Sequence, residues 1–86
     1  IMSLLDHNER DQDMVLMGSI FREIRVRMGA NQTEIATRAA VNPSYLSALE
    51  NGIYSMSLRK FLDVCQALTI SPDHVMAIFC RKRSYR

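Results

Sequence analysis

The sequence predicts an all-α fold of five helices, because apolar residues recur every three or four positions and because capping residues, twice followed by proline, mark the helix starts. No segment reads as a strand. The first helix rests on Met17, Phe21, Ile24 and Met28, with Arg22, Glu23, Arg25 and Arg27 between them, and Gly29 stops it. Asn31 caps the second, Glu34 stands three places on to close a capping box, and Ile35, Ala36 and Ala39 share its inner face. Ala40, Val41 and Asn42 form a break. Asn42 caps a third helix that has Pro43 at its first position, where a missing N–H leaves no partner unsatisfied, and that Gly52 ends. Residues 53–56 have no period and read as a loop. Ser57 caps the fourth helix, built on Leu58, Phe61, Leu62, Cys65 and Leu68 and ended by Thr69 or Ile70. Ser71, Pro72 and Asp73 open the fifth, which carries Val75, Met76, Ile78 and Phe79.

At 86 residues the chain is one domain with a modest core, too short for separate substrate and cofactor lobes. The polar run from Asp6 to Asp13 offers no continuous apolar face, so residues 1–13 read as a flexible extension, residues 14–80 as the domain and residues 81–86 as a basic tail. The net charge of +2 is uneven: Asp6, Glu9, Asp11 and Asp13 crowd one end, and Arg81, Lys82, Arg83 and Arg86 the other. That basic end is either a solvated terminus or a contact for phosphate or another anionic surface. No apolar run approaches the roughly 18 residues of a membrane span, and acidic residues interrupt the place of a secretory leader, so the expected compartment is the cytoplasm. Cys65 and Cys80 lack the CxxC spacing and read as ordinary hydrophobes of a reduced protein. His7 and His74 have no partners at metal-ligand spacing. The expectation is no metal, no cofactor, no small-molecule ligand and no catalysis, since Cys65, His74 and the serines form no nucleophile–base arrangement.

Residues 32–51 set two short capped helices around a three-residue break, which is the spacing of a helix-turn-helix that places its second helix in a DNA groove. Leu46 and Leu49 turn inward with Val41, which leaves Ser44, Ser47, Ala48 and Asn51 on the outer face. Ser44 and Ser47 can make single hydrogen bonds to base edges, Pro43 and Ala48 can touch a thymine methyl, and Asn42 and Asn51 are the only amides at the ends of the helix. Thr33, Tyr45, Asn51 and Tyr54 can hydrogen-bond to the DNA backbone, or serve instead as caps and exposed surface; Arg38, Arg59 and Lys60 are the candidate cations on that side. Residues 43–50 include no lysine, arginine, glutamine or asparagine, so direct base readout is weak and sequence-dependent DNA shape must add to it.

Gln32 opening the second helix, Ala36 where helices cross, Val41 in the turn, Leu46 and Leu49 inward, and Glu50-Asn51-Gly52 at the close together resemble the Cro and phage-repressor type of DNA-binding domain, the Xre family, over residues 17–76. The resemblance implies a lambda-repressor-like five-helix bundle whose third helix enters the major groove, and a symmetric dimer that reads two half-sites. It also implies that Gln32 and the start of the second helix grip a phosphate, and that Arg25 and Glu50 form a buried ion pair. Glycine is usual in the family where Ala40 and Thr69 stand, so Ala40 is expected to carry a left-handed backbone at some cost and the fourth helix to end differently at Thr69. Val75, Met76, Ile78 and Phe79 give the last helix more apolar residues than one inward stripe needs; they form a dimer surface or pack on Met14, Val15 and Leu16. The implied function is a sequence-specific transcriptional regulator, a repressor that binds a palindromic operator as a homodimer. The alternatives are a protein-binding adaptor such as an antitoxin, and a restriction-modification controller that also activates.

Overall fold

Side-chain caps set the helix starts. In the computed structural model, which describes residues 11–83, the helices are α1 (Gln12–Met28), α2 (Gln32–Ala39), α3 (Pro43–Glu50), α4 (Leu58–Ala67) and α5 (Pro72–Arg83). Helix α1 begins five residues before its apolar stripe because the Asp11 carboxylate accepts from the backbone N–H of Asp13 at 2.8 Å and of Met14 at 3.4 Å. Residues 11–13 therefore belong to the domain and not to a flexible extension; residues 1–10 and 84–86 lie outside the described residues. Residues 81–83 likewise form the last turn of α5 and not a loose tail. There Arg83 Nε donates to Asp13 Oδ1 at 2.9 Å, which ties the end of α5 to the first turn of α1.

The core gathers one stripe from every helix: Phe21 from α1, Ile35 and Ala36 from α2, Leu46 and Leu49 from α3, Val64 and Cys65 from α4, and Val75 from α5, each with no exposed surface. Helix α1 packs on α3 and α5, and α2 on α3 and α4, so α3 is held along its inner side. The expectation that Val75 lies on a dimer surface is corrected: it is fully enclosed, with Ile78 and Phe79 half-buried beside it at the helical spacing of an inward stripe. Met76 stands outside, 39% exposed.

Four helices end in the same left-handed corner, and two of those corners hold a side chain. Gly29 and Gly52 have φ of 77° and 72°, Ala40 has 60° and Thr69 has 55°. At Ala40, its own N–H reaches Thr37 O and the N–H of Val41 reaches Ala36 O; at Thr69, its N–H reaches Gln66 O and that of Ile70 reaches Cys65 O. These paired bonds are Schellman closures, so α4 ends as the others do, and the different ending expected at Thr69 does not occur. The hydrogen bonds outweigh the local strain, which is larger for threonine because its β-branch crowds the following carbonyl. Ala40→Gly and Thr69→Gly are each expected to stabilise the domain by about 0.5–1 kcal/mol, the relief of strain less the added freedom of the unfolded chain. Melting temperatures raised by a few degrees in each variant, and additive in the pair, check this.

The two thiols differ in exposure. Burial pushes the Cys65 thiol up from an ordinary 9.0 to about 11, whereas Cys80 is exposed. One thiol per native chain is expected to react with a disulfide reagent at pH 8, and the second only on unfolding. Because the unfolded chain ionises Cys65 first, its contribution is fully present below pH 9 and declines as pH rises toward 11.

Candidate functional site

The reading surface is assembled from short, tightly fastened pieces. Asn31 Oδ1 accepts from the N–H of Glu34 at 2.8 Å, and Glu34 Oε1 accepts from the N–H of Asn31 at 2.9 Å, closing the capping box of α2. Asn42 Oδ1 accepts from the N–H of Tyr45 at 2.8 Å and starts α3. That bond occupies the Asn42 oxygen and leaves its amide nitrogen facing outward from an exposed residue.

Backbone meets backbone where α1 crosses the end of α3. A Cβ placed on Gly18 would run into Leu49 O and lie 2.8 Å from Glu50 O, so only a residue without a side chain fits there. Gly52 makes the second close approach, with Val15 Cα 2.6 Å from the place of its missing Cβ. Neither contact has a local signature beyond a glycine within or just after a helical pattern.

A buried charge cluster locks the same corner. Arg25 Nε donates to Glu50 Oε2 at 2.7 Å and Arg25 Nη2 to Glu50 Oε1 at 2.9 Å, with the Glu50 side chain only 1% exposed. Arg25 Nη1 donates to Ala30 O at 3.0 Å, and Gln32 Nε2 donates to Glu50 Oε1 at 2.9 Å. The hydrogen bonds to Glu50 hold the Arg25 guanidinium above its ordinary range despite its burial. Two planar groups meeting edge to edge fix both distance and angle, so the end of α3 cannot swing relative to α1.

What α3 presents outward is small and neutral. Pro43, Ser44 and Asn51 are exposed, and Ser47 and Ala48 are half-buried. Asn51 Nδ2 donates to Ser47 O at 2.8 Å, so this amide braces the helix end with one of its two N–H groups. Tyr45 is half-buried against the core, and Tyr54 stacks on it with ring centroids 5.6 Å apart at 25°, which steadies the loop after α3.

The candidate cations do not share one place. Lys60 lines a shallow depression of about 430 Å³ with Ala40, Val41, Asn42 and Tyr45, beside the turn. Arg38 shares the flank of α2 with Thr33, and its Nη1 lies 3.4 Å from Ala67 O, at the end of α4. Arg59 is exposed and pairs with Asp63 at 3.7 Å. A small, neutral ridge with Lys60, Arg38 and Arg59 on its flanks suits a polyanion whose backbone is held electrostatically and whose interior is touched lightly. Among the described residues no cluster of three or more His, Cys, Asp or Glu side chains could hold a metal ion, and no helix is long and apolar enough to cross a membrane.

A family model described as a helix-turn-helix domain matches residues 16–77. The chain is 30% identical to the clp gene regulator ClgR from Corynebacterium glutamicum, covering 81% of this chain and 91% of that one with a TM-score of 0.77. It is 31% identical to the restriction-modification controller protein C.AhdI from Aeromonas hydrophila, covering 76% and 98% with a TM-score of 0.73. The controller protein C.Esp1396I shares the fold at 13% identity, covering 88% and 99% with a TM-score of 0.82. No curated protein sequence matches the chain.

Proposed function

The chain belongs to the helix-turn-helix domain family, of the Cro and phage-repressor type, and from that membership we propose that it is a DNA-binding transcriptional regulator, a repressor that occupies a palindromic operator as a homodimer in the cytoplasm. The observation that carries this reading is the outer face of α3, where Pro43, Ser44 and Asn51 stand free of the core while Leu46 and Leu49 anchor the opposite side. It works by occupancy, without cofactor, small-molecule ligand or chemical step.

In this reading Ser44 and Ser47 make single hydrogen bonds in the major groove, and Pro43 and Ala48 touch thymine methyl groups. Gln32, Thr33, Asn42, Asn51 and Tyr54 bond to the sugar–phosphate backbone, while Tyr45 serves mainly by seating Tyr54. Lys60, Arg38 and Arg59 supply charge. Because each contact is weak, two half-sites on one dimer are needed, and joining them raises the effective concentration of the second. Met76, on the outer side of α5, with Ile78 and Phe79 at its margin, is the surface proposed for that dimer; Val75 is excluded from it.

Selection of bound sequences from random duplex DNA tests the reading: enriched palindromes support it, whereas no enrichment leaves the adaptor alternative, a protein that holds another protein such as a toxin. The controller alternative, in which the same protein also activates, draws its support from the 31% identity to C.AhdI. A promoter fusion read with and without the protein separates activation from repression. If the three cations act in both protomers, log K against log salt is expected to fall with a slope of about −5, and Lys60→Ala to reduce its magnitude by about 2. A flat response removes the assignment of phosphate contacts.

A further inference from the structure

The Glu50 carboxylate takes more donors than an ion pair alone supplies. Arg25 brings two N–H groups from α1, and Gln32 brings a third from the first turn of α2, 2.9 Å from the oxygen that already accepts from Arg25 Nη2. Glu50 is the last residue of α3 and Gln32 the first of α2, so one hydrogen bond spans the two helices of the motif at the end farthest from their turn. The turn fixes one end of the pair through Val41 N–H to Ala36 O and the Asn42 cap. Two helices joined at one end keep a hinge freedom; a second fastening at the open end removes it.

We infer that Gln32 is a positioning residue that sets the angle between α2 and α3 through its bond to Glu50, and thereby the fit of α3 to a particular groove. The inference rests on the DNA-binding reading and deepens it. Gln32 is only half-buried, and its amide has a second N–H, so one side chain can touch the end of α3 and a DNA backbone oxygen together. With so few base-specific groups on α3, discrimination depends on where the helix lies relative to the backbone, and this bond couples the two positions. A residue that only added a phosphate contact would strengthen binding to every sequence alike.

The test measures affinity for a selected palindrome and for an unrelated duplex of equal length, at one salt concentration, with melting temperature recorded for each variant. Gln32→Ala is expected to weaken binding to both duplexes through the lost backbone contact and, beyond that shared loss, to lower the ratio of the two affinities roughly tenfold, equivalent to about 1.4 kcal/mol, while the protein remains folded. Gln32→Glu sets a second carboxylate against Glu50, and its ratio is expected to recover as pH falls from 8 to 5, because the protonated carboxyl can donate the missing bond. Gln32→Lys keeps a donor and restores the ratio even as its charge raises both affinities. Equal losses on both duplexes, or a pH-independent ratio in Gln32→Glu, overturn the inference and leave the DNA-binding reading intact. Wild-type protein that prefers no duplex overturns that reading, and the inference with it.

Discussion

Glu50→Ala is expected to destabilise the domain by roughly 3–5 kcal/mol, because it strands a buried cation. Arg25, 8% exposed, loses the acceptor of two N–H groups, and Gln32 loses the acceptor of one. Small domains hold about 5–15 kcal/mol in total, so the variant should be partly unfolded near physiological temperature. Urea denaturation of the wild type, the single variant and an Arg25→Met/Glu50→Leu double variant checks the cause. Recovery of most of the lost stability in the double variant identifies the stranded charge; wild-type stability in Glu50→Ala would show that the pair contributes nothing.

Gly18→Ala gives the second large effect, and its sign separates two ideas about the same residue. Helix propensity alone says that alanine in the middle of α1 stabilises by up to about 1 kcal/mol. Packing says the opposite, since the new methyl would strike Leu49 O and Glu50 O, which belong to backbone that cannot move without displacing α3. The expected outcome is a loss at or above the upper end of the roughly 1–3 kcal/mol cost of overpacking. DNA affinity should fall further than stability alone explains, because α3 must shift to make room. A raised melting temperature would mean that α1 and α3 do not cross as closely as described.

The caps were the most legible part of the fold. Asn31 with Glu34, Asn42 with Pro43, and Ser57 fasten the first turns of α2, α3 and α4 by bonds within three residues, and bonds of that range are written locally. The start of α1 was not legible in the same way. Its first turn is only partly buried, so no apolar stripe announces it, and its cap is one aspartate in an acidic run. Val75 shows a different limit. Four apolar residues on one helix permit more than one inward face, and only the position of α1 and α4 selects Val75. Within the candidate site, Ser44 and its neighbours follow from spacing, but the role of Gly18 depends on a carbonyl 31 residues away in sequence, which no local pattern encodes. At Thr69 the side chain misleads, because two local backbone hydrogen bonds, Thr69 N–H to Gln66 O and Ile70 N–H to Cys65 O, hold the left-handed corner without a glycine.

Helices α2 and α3 contain eight residues each, fewer than the roughly 12–15 that an isolated helix needs to persist in water. They exist only while the body beneath them is closed, which makes the exposed ridge an all-or-none object. Amide hydrogen exchange in both segments should therefore report global opening and share its rate, and a protease should find no intermediate in which the ridge is lost and the rest survives.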